Sequence, residues 1–469
     1  AIVGVSRSPQ SFGGLSFLDR LVEAGFKGDI YPINPKADEV RGIKAWPSLA
    51  ALPEKPDLVM VAVPAPRVPG VLMECADLGI RHVHILTAGF GELGTAEGTE
   101  LEEEIARIAR ENGLLVMGPN CMGPYSPAAG LTAWGAIPGL DGPVGVISQS
   151  GGITQRLTEY LVSLGVGVGK AASIGNATVL DSPDFLEYMG GDDSIGVIAM
   201  YLESVRDGRR LFEVASRVAS RKPVVMLKGG RTKRGAATVS SHTGSMAGDQ
   251  RLWKAFCEQV GIVSVTTMNA WVDAILACCL LPGSPGKNVF IVGGGGGNSV
   301  IYSDYCISAG LSVPQLSETS MAKIRSFVPA AGSIAGNPLD LWELYLNIDR
   351  LIQVLEIAYN DPAVDIVLVD RLIPRIAFHS PPVPDPTERV VEFLARREKA
   401  KPTIFVIDYD GGDSDLLERG STLRARLCRA GVPAYPSVER AVNALSAWCG
   451  AYGFDKGRED SYVRDANNR

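Results

Sequence analysis

The residues best suited to chemistry in this chain of 469 residues lie in one short segment, Val239-Ser240-Ser241-His242-Thr243-Gly244-Ser245-Met246-Ala247-Gly248-Asp249. The chain has four histidines, His82, His84, His242 and His379, and His242 stands among small, hydroxyl-bearing neighbours. A neutral imidazole is a nucleophile near physiological pH. Gly, Ala, Ser and Thr leave the ring unshielded and supply backbone and hydroxyl donors to anionic oxygens. The spacing does not make a metal set. The segment reads as a flexible loop whose histidine approaches and leaves an anionic centre. A plain surface loop is the alternative that this window alone leaves open.

Such a histidine needs a frame. Three times an apolar strand runs into a Gly/Ser loop and then a helical stretch: Ala1–Val5 before Ser6 to Gly14, Pro143–Ile147 before Ser148-Gln149-Ser150-Gly151-Gly152, and Asn288–Val292 before Gly293 to Gly297. Between them, apolar runs such as Leu58–Val63, His82–Leu86, Ile195–Leu202, Pro223–Leu227, Ile366–Val369 and Thr403–Ile407 alternate with helical patterns. That alternation predicts doubly wound α/β domains with parallel sheets. Each opening puts backbone N–H groups and a positive helix end at a sheet's carboxyl edge, where anions bind. Pro127–Gly142 and Pro282–Lys287 mark the joints, and the tail from Asp455 is polar.

The first opening does not match a dinucleotide fingerprint. Its glycines are Gly4, Gly13 and Gly14, not G-x-G-x-x-G, and the second strand ends in Asn34-Pro35-Lys36 rather than in an acid. A lysine there favours an extra phosphate, as in NADP or coenzyme A, or is a solvated surface charge.

Composition narrows the classes. With 46% apolar and 21% charged residues the chain can build large cores, and its net charge of −7 does not suit nucleic acid or an anionic membrane. No apolar run approaches the ~18 residues of a membrane span. Eight cysteines without a C-x-x-C pair read as buried thiols of a reducing compartment, with cytoplasm the default. No signal peptide is visible, and the chain opens inside a strand, so residues are expected before Ala1.

In order along the chain come Gly4-Val5-Ser6, Tyr31 to Lys36, Val61-Ala62-Val63-Pro64-Ala65, Thr87-Ala88-Gly89-Phe90-Gly91-Glu92 and Gly118-Pro119-Asn120-Cys121-Met122-Gly123. This series resembles the coenzyme A-binding domain of NDP-forming acyl-CoA synthetases, the superfamily of the succinyl-CoA synthetase α subunit. The resemblance implies that Gly4, Ser6, Ser8, Lys36, Val63, Pro64, Thr87 and Gly89 surround coenzyme A. Cys121 is assigned a structural role, since nothing near it in sequence lowers its pKa.

The resemblance continues through Ser148 to Gly152, Ser173-Ile174-Gly175-Asn176, Tyr201-Leu202-Glu203-Ser204, Lys228-Gly229-Gly230-Arg231 and the histidine segment. His242 falls where that family carries its phosphorylated histidine. Ser148, Ser150, Gly151, Gly152, Asn176 and Gly244 are then expected to bind the phosphoryl group. Glu203, just past a strand end, is the best candidate to hold the imidazole's other N–H. Lys228 and Arg231 add charge or pair with surface acids, and Asp181, Asp184 and Glu187 read as a solvated helix face or subunit contact rather than a metal site.

Three domains follow: a Rossmann-like coenzyme A-binding domain over 1–125, a flavodoxin-like ligase domain over 142–282 and a second flavodoxin-like domain over 288–453, with a polar tail from 454 to 469. The glycine run Gly293–Gly297 serves either as an anion cradle or as a packing surface. Nothing resembles an ATP-grasp domain, so the resemblance implies a separate β subunit that carries ADP or ATP with magnesium. The function implied is the α subunit of an ADP-forming acyl-CoA synthetase acting on a small organic acid or its acyl-CoA, in a hetero-oligomer with α–α contacts. A non-catalytic acyl-CoA-binding or regulatory subunit and an NADP-dependent oxidoreductase are the alternatives.

Overall fold

A computed structural model describes residues 1–6, 13–132, 134, 139–243, 249–283, 286–293, 295–371, 373, 384–396, 401–409 and 413–453, except for the side chains of 240–243. Contacts divide it into two units, Ala1–Val162 with Gly167–Thr266, and Ser163–Val166 with Thr267–Arg469.

The first unit holds two sheets. The first strands are β1 (Ile2–Val3) and β2 (Pro32–Ile33), followed by a separate hairpin of β3 (Glu39–Val40) and β4 (Ile43–Lys44). Then come β5 (Val59–Val61), β6 (His82–Ile85) and β7 (Leu115–Met117). The sheet order is β2-β1-β5-β6-β7, with every neighbour parallel. Helices α1 (Gly14–Glu23), α2 (Val68–Asp77) and α3 (Ala96–Asn112) connect the strands, and Val59, Val61, Leu72, Ile85, Ile105 and Val116 form the buried core. Gly4 has φ +96°, and a Cβ on it would lie 2.7 Å from the Ala62 carbonyl oxygen. Only glycine lets β1 turn there so close to the chain leaving β5.

The second sheet comprises β8 (Gly123–Ser126), β9 (Leu131–Thr132), β10 (Val144–Ser148), β11 (Val168–Ser173), β12 (Val197–Leu202), β13 (Val224–Lys228) and β14 (Val263–Val265). Its order is β14-β13-β12-β10-β11-β8-β9. The strands β10 to β14 run parallel, but β8 pairs antiparallel with β11 and β9. The expected boundary at 125 therefore falls inside a strand of the second sheet, and the joint expected over Pro127–Gly142 supplies another. Gly-Pro-Tyr-Ser carries no apolar alternation, and Pro124 lies outside the two residues of β8 that pair with β9. Helices α4 (Gly151–Ser163), α5 (Ser182–Gly191), α6 (Gly208–Ala219), α7 (Lys233–Thr243) and α8 (Gln250–Val260) complete this part.

In the second unit, helix α9 (Met268–Leu280) packs against the closing helix Val438–Gly453. The expected second domain, ending at 282, thus takes in a helix that packs with the third. Asp273 on α9 is buried and accepts from Arg424 at 3.3 Å and from Arg440 at 2.6 and 2.8 Å. The sheet is β15 (Val289–Gly293), β16 (Leu339–Asp340), β17 (Ile366–Asp370), β18 (Thr403–Val406) and β19 (Ala434–Tyr435), in the order β16-β15-β17-β18-β19 and all parallel.

Candidate functional site

In the first sheet the connection leaving β1 crosses to β2 on one side, while β5 lies on the other. The carboxyl ends of β1 and β5 therefore flank a topological switch point, where open α/β sheets bind ligands. Gly4 and Ser6 follow β1, Lys36 follows β2, Val63 and Pro64 follow β5, and Thr87 and Gly89 follow β6, so the sequence-expected residues share one edge. The Thr87 hydroxyl donates to the Val63 carbonyl at 2.7 Å, which ties two of these turns together. The Asn34 amide donates to the Val5 carbonyl at 2.7 Å, and its oxygen accepts from the Lys36 N–H at 2.9 Å. Lys36 itself is exposed. Ser8 lies outside the described residues.

The second sheet repeats the arrangement, with its switch point between β10 and β12. Ser148 ends β10, and the Ser150 hydroxyl accepts from the Ile153 N–H at 3.4 Å, capping α4. Gly151 and Gly152 occupy the first turn of α4, where backbone N–H groups have no carbonyl partner within the helix. The Ser148 hydroxyl is fully buried, donates to the Ser150 carbonyl at 2.9 Å and accepts from the Ser150 N–H at 3.1 Å. Ser148 therefore shapes the turn and does not face outward as expected of a phosphate donor.

Glu203 leaves the end of β12 and is buried, accepting from the Tyr201 hydroxyl at 3.0 Å. Its own N–H donates to Gln149 Oε1 at 2.6 Å, as does that of Ser204 at 3.0 Å. Gln149 was part of the sequence motif but had no assigned role. Lys228 ends β13, donates to the Glu203 carbonyl at 2.7 Å and to that of Gly229, and lies 4.9 Å from the Trp253 ring. Burial pushes its pKa down to about 8, against the opposing pull of Glu203. Arg231 instead donates to the Thr266 carbonyl at 2.9 Å.

Asn176, expected to bind phosphate, has both amide protons committed elsewhere. Its nitrogen donates to Glu92 Oε2 at 2.6 Å and to Glu102 Oε2 at 2.9 Å. These partners lie 84 and 74 residues away in sequence, and neither carboxylate had been assigned a role. Glu92 Oε1 also accepts from the Gly89 and Phe90 N–H groups at 2.5 and 3.2 Å, and Glu102 Oε2 accepts from Gly91 at 3.0 Å. Arg206 closes the network, donating to Glu102 Oε1 at 2.6 Å and to the Ala177 carbonyl at 2.9 Å. Asp181 caps α5 and accepts from the Arg206 N–H at 3.0 Å. Burial raises its pKa against the lowering effect of its donors.

The histidine segment is not wholly a loop. Helix α7 runs from Lys233 through Thr243, so the backbone at His242 is helical; the imidazole and Gly244 lie outside the described residues. The Thr232 hydroxyl accepts from the Gly235 N–H at 3.0 Å and caps the start, and Ala236 and Ala237 favour the first turns. Helix α7 lies against the short turn Gly91–Leu93.

At the third sheet the glycine run borders carboxylates. A Cβ on Gly293 would meet that of Asp370 at 2.8 Å, and one on Gly296 would lie 3.5 Å from Asp340 Oδ2. Asp370 accepts from Tyr345 at 2.7 Å and Tyr302 at 3.1 Å, and burial raises its pKa. Such surroundings favour the packing role of the run over an anion cradle. Among the described residues no group of three His, Cys, Asp or Glu could hold a metal. The eight cysteines are free, and burial pushes the Cys121 thiol up to about 12.

Comparisons with known proteins agree with this layout. Residues 1–127 match the model of a CoA binding domain, and residues 141–278 that of a succinyl-CoA ligase like flavodoxin domain. The chain is 33% identical over 455 residues to the acetate–CoA ligase [ADP-forming] I subunit alpha of Pyrococcus furiosus, covering 95% of this chain and 94% of the relative. It is 34% identical to acetate–CoA ligase [ADP-forming] I of Archaeoglobus fulgidus, covering 90% of this chain and 58% of that longer one. Among solved structures, the dinucleotide forming acetyl-coenzyme A synthetase 1 of Ca. Korarchaeum cryptofilum, in complex with phosphate and ADP, superposes with a TM-score of 0.86 at 32% identity. That match covers 99% of this chain and 97% of the other. These relatives are ligases, which sets aside the oxidoreductase and binding-module alternatives.

Proposed function

Because this chain belongs to the family of ADP-forming acyl-CoA synthetases, we propose that it works as an α subunit with His242 as the phosphoryl carrier. The enzyme interconverts acyl-CoA, ADP and phosphate with acid, CoA and ATP. What carries this reading is the gathering of Ser150, Gly151, Gly152, Glu203 and Lys228 at the carboxyl edge of one sheet, in the same unit as the coenzyme A edge and helix α7.

In the direction from acyl-CoA, a phosphate oxygen attacks the thioester carbonyl carbon. The C–S bond breaks, CoA leaves as its protonated thiol, and an acyl phosphate forms. A nitrogen of His242 then attacks phosphorus, the P–O bond to the acyl group breaks, and the acid leaves as a carboxylate. The phosphoryl group finally passes to ADP. Glu203 accepts the imidazole's other N–H and balances the charge of the phosphorylated ring. The first-turn N–H groups of α4 hold the phosphoryl oxygens, and Lys228 adds positive charge beside them.

The chain's own contribution to CoA is the edge of Gly4, Ser6, Lys36, Val63, Pro64, Thr87 and Gly89, with Lys36 on the extra phosphate. An ATP-grasp partner chain supplies ADP and its magnesium. The "subunit alpha" naming of one relative and the greater length of another support a partner. Eight free cysteines support a reducing compartment, the cytoplasm, and no helix among the described residues is long and apolar enough to cross a membrane.

Calorimetric titration with CoA and with NADP, followed by an assay of ATP formation from acetyl-CoA, ADP and phosphate with an ATP-grasp partner, tests this. CoA binding and ATP formation are expected; NADP binding without CoA binding would overturn the reading.

A further inference from the structure

We propose that Glu92 and Glu102, clamped by Asn176 and Arg206, are positioning residues that set one turn serving both half-sites. That turn, residues 87–93, borders the coenzyme A edge through Thr87 and Gly89, and helix α7 with His242 lies against its Gly91–Leu93 part. The inference rests on the function proposed above.

The geometry leaves the turn little freedom. Three successive backbone N–H groups, Gly89, Phe90 and Gly91, each donate to one of the two carboxylates. Gly89 has φ +115°, and a Cβ on Gly91 would lie 2.7 Å from Glu102 Oε2, so the carboxylate rests directly on the turn. Two carboxylates this close repel each other unless donors stand between them. The donors are the Asn176 amide, which reaches both, and the Arg206 guanidinium. They come from the turns beyond β11 and β12, the two strands that flank β10, and β12 also delivers Glu203. Asn176 is 5% exposed, and its oxygen accepts from the Asn120 amide at 3.3 Å. A shift of the Asn176 turn is thus transmitted to the coenzyme A turn and to the seat of α7 together.

The test replaces Asn176 by Asp, which removes the bridging amide and adds a third carboxylate facing Glu92, Glu102 and Arg206. Two properties are read on the full chain: CoA affinity by calorimetry, and the rate of phosphohistidine formation from acetyl phosphate. Losing charge-assisted hydrogen bonds of this kind costs roughly tenfold or more in an equilibrium constant or rate. Both properties are expected to fall by about that factor with the circular dichroism spectrum unchanged. Asn176→Gln, which keeps an amide donor, should retain more of both properties than Asn176→Ala. If Asn176→Asp does not fold, Glu102→Gln is read for the same pair of properties.

A folded variant with both properties unchanged, or with only one changed, contradicts the positioning role. A native chain that binds no CoA, or forms no phosphohistidine, contradicts the proposed function instead.

Discussion

The side-chain oxygen of Gln149 lies 2.6 Å from the amide nitrogen of Glu203. It also accepts from Ser204, so one buried side chain from the end of β10 fixes the end of β12. A Gln149→Ala substitution strands two buried N–H groups, at a cost of about 1–3 kcal/mol each. Denaturant unfolding should show the loss, and phosphohistidine formation should slow because Glu203 is no longer held. Full stability with native phosphorylation would show that the latch is dispensable.

Glu203→Gln keeps the size of the side chain and removes its charge. Loss of one charge-assisted hydrogen bond to the imidazole costs about 1.5–3 kcal/mol, or roughly tenfold to a hundredfold in phosphorylation rate. CoA affinity should stay native. Unchanged phosphorylation would assign the ring's partner to another group; equal loss of both properties would point to misfolding.

Much of this site was legible in the sequence because strand ends announce themselves. The apolar runs read as ending at Val5, Ile147, Leu202 and Val292 stop within two residues of the strand ends at Val3, Ser148, Leu202 and Gly293, and the sheet order then places those ends on the carboxyl edges. What was not legible depends on partners far apart in the chain. Nothing local to Asn176 shows that its amide bridges Glu92 and Glu102, and nothing local to Ser148 shows that its hydroxyl folds back on Ser150. The helix through His242 was hidden by its Ser and Thr content, which reads as loop until the Thr232 cap is seen. The antiparallel pair β8 and β9 was hidden by a Pro/Gly-rich joint that lacks strand alternation.

Lys228 makes stability depend on pH. Burial lowers its folded-state pKa to about 8 from the ordinary lysine value of 10.5. Below pH 8 the ammonium is charged in both states and its burial opposes folding. Between pH 8 and 10.5 the unfolded chain binds more protons, so stability contributed at this site rises with pH. The stability of the native chain relative to Lys228→Met, followed by thermal unfolding, should therefore increase from pH 7.5 to 9.5. A flat or falling difference would show that Lys228 is not desolvated.

Asp273 answers two arginines from inside the second unit. Asp273→Ala leaves the buried Arg424 guanidinium without this carboxylate, and breaking such a pair from one side costs about 3–5 kcal/mol. Urea unfolding should show the loss, whereas CoA binding, which belongs to the first unit, should be retained. A loss below ~1 kcal/mol would mean that water or a backbone carbonyl takes over the role.

In this mechanism the phosphoryl group rests on His242. The most direct measurement exposes the purified chain to radiolabelled acetyl phosphate and maps the acid-labile, base-stable label by peptide mass spectrometry. The native chain should carry it on His242, and His242→Ala should take up none while binding CoA with native affinity. Equal labelling of the His242→Ala chain, or label found on another residue, would contradict the assignment.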